Sequence, residues 1–335
     1  MSIINKTSIM TDIRSFGIKK GDVLYIRGNL AQIADPGETE GKLKDFFINA
    51  LLESVGDEGT IVTAAYTRLY WPFQLTPDRV FTKSSKSYCG ALPMLFLKHP
   101  DCIRSRHPST SYVAIGSKAQ YILGDHDENS TEFAPFEKLI ALDAKIISFG
   151  CDAGHAGLPI FHFVEEKLGL HVRSLLKGWG RVYYYDKEDK KKIFKNKSGT
   201  GCGGRTYSFF EHYAKAGCLT VSSIGRAIGV EGRISDLYQI DYQLIKGDHG
   251  QVCCDNPNCI RCNLLVPRKK NVRLKFFLYR GWIILFVVLK QILKKEDWKT
   301  AINTQAYFKW YGNPMFEKEV EKIIRKYGPS KYERY

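Results

Sequence analysis

No apolar run in the 335-residue chain is long enough to cross a bilayer: the strongest, GWIILFVVL at 281–289, is under half of the about 20 residues a spanning helix requires. The opening stretch, MSIINKTSIMTDIRSFGIKKGD, lacks the apolar core of a signal peptide, so a cytoplasmic location is expected. Acidic residues are scarce. There are 35 Asp and Glu against 50 Lys and Arg, a net charge of +15. Such an excess favours an anionic partner: nucleic acid, anionic lipid, or a phosphate-bearing cofactor or substrate. Internal repeats and low-complexity tracts are missing, and 44% hydrophobic with 25% charged residues excludes a disordered chain. No nucleic-acid motif occurs, and the aromatics are not interleaved with arginines, which makes nucleic acid the weaker partner class. The nine cysteines are odd in number, and several sit alone in apolar stretches; they suit reduced thiols better than a disulfide framework.

What is present reads as a layered α/β chain. GDVLYIRGNL (21–30) alternates as a strand ending in a turn, and LKDFFINALLESVG (43–56) has helical spacing closed by Gly56. TIVTAAYT (60–67) is a buried strand by its β-branched content. GALPMLFLKHP (90–100) predicts a helix stopped before Pro100, while TSYVAIG (110–116) and AKIISFG (144–150) predict short strands ending in glycine. Strands alternating with helices place residues 1–250 in one layered domain. RVYYYDKEDKKKIF (181–194) predicts a hairpin with a solvated charge run at its tip. FFEHYAKAG, SSIGRAIG and SDLYQIDYQLI predict mostly helix, before a basic, Cys-containing extension over 251–335.

One stretch combines ionisable residues with unusually apolar company. In GLPIFHFVEEK (157–167), His162 and Glu165 lie three apart and so share a helix face. Such a pair is either a surface contact on an amphipathic helix or an imidazole held by a carboxylate for proton transfer.

Several segments in order bear on that choice: GDVLYIRGNL, ALLESVGDEGTIVTAAYT, CGALPMLFLKHPDCIRSRHPSTSYVAIG, FAPFEKLIALDAKIISFG and GLPIFHFVEEK. Together they resemble the aminoglycoside 3-N-acetyltransferase family over about residues 10–250. The resemblance is densest at Arg104, Ser105, His107, Pro108, Ser111 and Tyr112, and at His162 with Glu165. It implies a layered α/β acyltransferase fold of that type, and acyl transfer from acetyl-CoA to the amine of an amino sugar. His162 is then the base and Glu165 the group that orients it, with direct attack, because no serine or cysteine stands in an activated-nucleophile context. Cys151 leaves a covalent variant open. His107 either caps backbone groups and shapes the pocket or donates to the thioester oxygen, and His155 could line the acceptor site. The cofactor is expected along Arg27, Gly28, Asn29 and Leu30, with Thr67 and Ser111 nearby and Arg104 within reach of a phosphate. Two departures stand out. The family's Ser-rich turn is replaced by Arg27–Leu30, and its polar Asn-Thr pair by Leu158 and Pro159. With the basic charge, these turn the expected acceptor from a polycationic aminoglycoside to a phosphate-bearing amino sugar of surface-polysaccharide biosynthesis.

Two features lie outside the family pattern. CCDNPNCIRC (253–262) predicts a structural zinc site at Cys254, Cys259 and Cys262, with His249 as a fourth ligand, or else a set of free thiols. PRKKNVRLKFFLYRGWIILFVVLKQILKK (267–295) is an apolar stretch bracketed by cations, suited to peripheral association with an anionic membrane at its inner face. The alternatives are a core helix or one buried in a homodimer. For the whole chain, two competitors to the sugar N-acetyltransferase remain: an idle homologue that binds nucleic acid or anionic lipid, and an aminoglycoside antibiotic acetyltransferase.

Overall fold

The computed structural model of the protein describes residues 3–35, 37–150, 158–170, 177–197 and 207–252, together with Leu274, Leu278, Gly281, Trp282, Leu285 and Leu289. Helix α1 (Lys6–Ser15) starts on Asn5, whose side chain accepts the Ser8 N–H while Ser8 Oγ accepts the Asn5 N–H. Two donors that the helix itself cannot satisfy are thereby paired. Helix α2 (Leu43–Val55) stops at Gly56, whose φ of 68° is the left-handed conformation that glycine allows after a helix.

Seven strands form the main sheet. Their order is β4 (Ile103–Arg104), β5 (Tyr112–Gly116), β2 (Thr60–Ala64), β1 (Val23–Gly28), β6 (Lys145–Phe149), β10 (Ala227–Arg233) and β9 (Thr220–Ile224). Strand β1 runs parallel to both β2 and β6, and the flanking pairs are antiparallel. Apolar side chains leave both faces of the sheet. Tyr25, Val62, Tyr112 and Ile146 pack on α4 (Ala119–Leu123), α5 (Pro135–Ala141), α6 (Ile160–Lys167), α7 (Tyr207–Lys215) and α8 (Ile234–Gly247). Leu24, Ile26, Ile61, Val113 and Ile147 pack on α1, α2 and α3 (Leu92–Phe96). Burial on both faces is why the central strands read as near-continuous apolar runs. A smaller sheet joins β3 (Val80–Phe81) to the predicted hairpin of β7 (Arg181–Tyr185) and β8 (Lys191–Lys195).

Two expectations are corrected. SSIGRAIG is the β9–β10 hairpin rather than helix: Ile224 pairs with Ala227 across Gly225 and Arg226, and Gly225 takes φ 56° to close the turn. Val221, Ser222 and Ile224 are the buried residues of Thr220–Ile224, so burial there does not alternate strictly and the segment carries no clean strand period. The helix predicted over 90–100 is confined to α3, one short segment from Leu92 to Phe96.

The antiparallel half of the sheet buries a carboxyl group. Glu231, on β10 opposite Ile147 and Thr220, has its pKa pushed up to about 7 by burial, against a lowering hydrogen bond to Thr220 and the charges of Lys145 and Arg233. A folded-state pKa raised above the unfolded value stabilises the fold fully below about pH 4.5, and that stabilisation is lost as pH rises through 7. The shift corresponds to a loss on the order of 3 kcal/mol across that window. Denaturant midpoints measured from pH 4.5 to 8 should therefore fall more steeply in the wild type than in Glu231→Gln; parallel curves would refute the assignment.

Candidate active site

The strand directions bring the candidate residues to one edge of the sheet. Because β1, β2 and β6 are parallel, Gly28, Ala64 and Phe149 all end on the same side. Strand β5 begins there, with Tyr112 opposite Ala64, and β4 ends there, with Arg104 opposite Val113. Strand β1 is also the point where the order reverses, with β2 on one side and β6 on the other. Open α/β sheets bind ligands at the carboxyl ends of strands beside such a reversal. The turn after β1 touches the turn after β6: Asn29 N–H donates to the Phe149 carbonyl at 3.1 Å. Gly28 is required there, since a Cβ would lie 2.5 Å from the Phe149 ring.

Helix α6, the next described element after β6, carries the histidine. Pro159 caps its start, and the end is closed by Gly169 N–H to Glu166 O (3.0 Å) and Leu170 N–H to Glu165 O (2.9 Å), a Schellman arrangement. His162 Nδ1 lies 2.8 Å from Glu165 Oε2. The imidazole side chain keeps 17% exposure while its carboxylate partner keeps 3%, so the ring alone of the two reaches outward. A carboxylate only accepts, which assigns the proton to Nδ1 and leaves the Nε2 lone pair as the basic atom. The ring lies between Phe161 and Phe133, with centroids at 3.8 and 5.5 Å. Phe133 is held in turn, for its N–H donates to Glu166 Oε2 at 3.1 Å. Adjacent buried carboxylates on α6 thus fix both the histidine and one of its flanking rings. Sequence reasoning missed Glu166 and Phe133; the only local signal was a second glutamate in an apolar helix.

A second cluster surrounds Arg104. Its Nε donates to Ser111 Oγ at 3.1 Å, one terminal nitrogen to the carbonyls of Lys83 (3.1 Å) and Ser85, and the other to the Ala65 carbonyl at 2.8 Å. Thr67 Oγ1 lies at 3.5 Å from the same guanidinium, and Ser111 Oγ donates to Ala65 O at 2.8 Å. Burial lowers the Arg104 pKa to about 10, and the guanidinium stacks on Phe81 at 5.1 Å. Arg104, Ser111 and Thr67 lie together, but the guanidinium faces main-chain carbonyls. In this arrangement it ties three loops to each other, and a phosphate would have to displace them.

His107 belongs to a third set. Its Nδ1 accepts the Thr110 N–H at 3.0 Å, so Nε2 carries the proton, and Nε2 finds no hydrogen-bond partner among the described residues. The ring is fully buried, stacked on His126 at 4.8 Å and edge-on to Phe194. Burial, followed by the charge of His126, holds its pKa well below the ordinary histidine value; burial takes His126 down to about 4. Both rings are neutral at physiological pH. The structure places His107 as a cap on the Ser109–Thr110 turn, and contact with a thioester oxygen would require the ring to be uncovered. His155, Cys151, Cys254, Cys259 and Cys262 lie outside the described residues. His249 sits in a short 3-10 turn, and among the described residues no three His, Cys, Asp or Glu gather as a metal site would require.

The sequence pattern of aminoglycoside 3-N-acetyltransferase matches residues 34–240, well over half of the chain. The chain belongs to the aminoglycoside 3-N-acetyltransferase family. Among curated relatives, aminoglycoside N(3)-acetyltransferase VII of Streptomyces paromomycinus is 23% identical over 180 residues, covering 48% of this chain and 60% of that protein. The prophage-derived aminoglycoside N(3')-acetyltransferase-like protein YokD of Bacillus subtilis is 27% identical over 183 residues, covering 49% and 65%. The chain therefore spans about three fifths of the length of these relatives. Among solved structures, the apoenzyme of aminoglycoside acetyltransferase AAC(3)-IVa superposes with a TM-score of 0.65 at 16% identity, over 79% of this chain and 97% of that one. The AAC-IIIb complex with CoASH gives 0.61 at 17% identity, over 73% and 97%. These likenesses establish the fold.

The structure shows what fills the two places where the sequence was expected to depart from the aminoglycoside 3-N-acetyltransferase pattern. Leu158 is buried in the core and Pro159 caps α6, so neither offers a hydrogen bond where a polar pair was expected. After β1, Asn29 Oδ1 accepts the Ala31 N–H at 3.1 Å and closes a one-turn 3-10 segment from Leu30 to Gln32. An amide carbonyl thus performs there the capping that a hydroxyl could provide. Leu30 itself packs against the core behind the turn. Among the described residues no helix is long and apolar enough to cross a membrane.

Proposed function

We propose that the protein transfers the acetyl group of acetyl-CoA to the amine of an amino sugar, with His162 as general base. The observation that carries this reading is the 2.8 Å contact between His162 Nδ1 and Glu165 Oε2 on an imidazole that keeps access to the outside. An ammonium cannot attack a thioester, so the acceptor first gives one proton to solvent and reacts as the neutral amine. The Nε2 lone pair takes a proton from the acceptor nitrogen as that nitrogen bonds to the thioester carbonyl carbon. The C–S bond then breaks, and the CoA sulfur leaves as a thiolate that can receive the proton from the imidazolium. Glu165 stabilises that imidazolium and keeps the ring in one tautomer. The pantetheine and phosphates of the donor are assigned to the turn at Arg27–Leu30 and to Thr67, at the carboxyl edge of β1 and β2; Ser111, fully buried and bonded to Arg104 and the Ala65 carbonyl, supports that edge from behind.

For the acceptor we favour an amino sugar carrying phosphate, such as a nucleotide- or lipid-linked hexosamine of surface-polysaccharide assembly. A chain of net charge +15 attracts an anionic acceptor and repels a polycationic one. Buried Leu158 and capping Pro159 likewise remove polar groups that a polyhydroxylated drug could use. The test is thiol release from acetyl-CoA with a panel of nucleotide-linked amino sugars, amino-sugar phosphates, neutral hexosamines and aminoglycosides. Turnover with the phosphate-bearing acceptors supports the reading, and turnover with aminoglycosides alone overturns the acceptor. Thermal stabilisation by oligonucleotides with none by CoA would overturn the enzyme and favour a nucleic-acid binding protein.

A further inference from the structure

The stretch 267–295, expected at a membrane surface, lies almost entirely outside the described residues. Within them, one aromatic cluster takes no part in the acyl-transfer geometry above. The chain leaves the carboxyl edge of β2 after Thr67 and returns at Tyr88, whose N–H donates to the Tyr66 carbonyl at 2.7 Å. Between these points Trp71 lies beside Phe73, with ring centroids 6.4 Å apart and planes 16° from parallel, and edge-on to Trp179 at 5.7 Å. Phe73 is 65% exposed and Trp179 50%. The backbone holds them there. Tyr70 and Arg181 exchange two main-chain hydrogen bonds at 2.8 Å, which tie the loop to the start of β7. Asn196 pins both neighbours of Trp179: its carbonyl accepts the Gly178 N–H at 2.9 Å and its Oδ1 the Gly180 N–H at 2.8 Å. A Cβ at Gly180 would lie 2.8 Å from Leu69 Cδ1, so glycine there lets the two segments close up. Large rings held at the surface by such a frame, instead of turned into a core, mark a binding surface.

Cations stand beside the rings. The Tyr70 ring has the Arg79 guanidinium at 4.1 Å and that of Arg68 at 5.5 Å, so both flank the residue next to Trp71. Residues 68–81 and 177–185 carry Arg68, Arg79, Lys177 and Arg181 against a single acid, Asp78. We propose that this shelf is the subsite for a nucleoside diphosphate, the carrier portion of a nucleotide-linked amino-sugar acceptor. It rests on the acyl-transfer reading for its place in the reaction and narrows the acceptor class. A flat base stacks on indole and phenyl faces, and guanidinium forks match the oxygens of adjacent phosphates. Each half selects against another occupant. A neutral glycan could use the rings but has nothing for the arginines, and a lipid-linked pyrophosphate could use the arginines but brings no flat base. Trp71 is four residues from Thr67, at most about 14 Å of extended chain, a span that a sugar joined through a diphosphate can cross.

Calorimetry of the purified full chain with UDP, CDP, GDP and ADP tests this. At least one should bind tenfold or more tightly than its own nucleoside and than inorganic pyrophosphate, because only the intact diphosphate engages rings and arginines together. Phe73→Ala/Trp179→Ala should weaken it at least tenfold with an unchanged melting temperature, since both side chains are exposed. Arg68→Met, also at an exposed position, should weaken the diphosphate at least fivefold and leave the nucleoside unaffected. Saturating CoA should leave the affinity within threefold. Competition by CoA would put the nucleotide in the donor site and overturn the proposal. So would failure of all four to bind at millimolar concentration, binding indifferent to these substitutions, or preference for a neutral chitin oligosaccharide. The two readings fail separately. Acetyl transfer to amino-sugar phosphates without a nucleoside would preserve the acyl-transfer reading where the subsite fails, and nucleotide binding with no turnover on any acceptor would do the reverse.

Discussion

His162→Ala is expected to lower kcat for acetyl transfer by about a thousandfold while CoA continues to raise the melting temperature as in the wild type. The argument is local. The substitution removes the atom that accepts the amine proton and leaves the sheet edge, the β1 turn and the Glu165 carboxylate in place. Glu165→Gln should cost less, roughly ten- to a hundredfold, because the imidazole survives and an amide oxygen can still accept from Nδ1, so that the loss is the charge that stabilises the imidazolium. The double variant should be no slower than His162→Ala, since a group that acts through the ring has no effect once the ring is gone. Thiol release followed against acceptor concentration measures all three. Turnover within tenfold of wild type in His162→Ala would remove the histidine from the reaction.

Arg104→Met should instead destabilise the protein, by about 3–5 kcal/mol, with a melting temperature lower by roughly 10 °C. The guanidinium satisfies the carbonyls of Ala65, Lys83 and Ser85 together with Ser111 Oγ, and methionine satisfies none of them. Each buried acceptor left alone costs about 1–3 kcal/mol, partly relieved where water can enter. Well below the melting transition, CoA affinity should remain within about threefold of wild type. The result that would overturn this account is the reverse pair: an unchanged melting temperature with CoA bound tenfold or more weakly, as expected of an arginine that meets phosphate. Arg104→Lys should recover little stability, because an ammonium cannot reproduce the planar fork that reaches three loops.

How far the sequence disclosed these features follows from the range of the interactions. Strands β1, β2, β5 and β6 were legible because each is a short apolar run ending in a turn, and the β7–β8 hairpin because its charged tip has no other plausible setting. His162 and Glu165 were legible because their contact lies within one turn of one helix. The role of Arg104 was not. Its partners are contributed by residues 7 to 39 positions away, and a basic side chain beside a loop gives no sign that carbonyls will surround it. Glu166 escaped for the same reason: Phe133, which it holds, is 33 residues distant. The β9–β10 hairpin was misread because Ile, Gly and Ala at short intervals fit either period, and only pairing with β6 decides between them.

The bonds that Arg104 makes with the neighbouring loops go chiefly to main-chain oxygens. The side chains of Thr82, Ser84 and Ser85 hydrogen-bond within the 82–86 loop, whereas its shape is largely independent of which side chains positions 83 and 86 carry, provided the arginine stays. Specificity can diverge on such a frame by exchanging those side chains one at a time, without rebuilding the loop that presents them. The same property makes this rim a sound place to diversify.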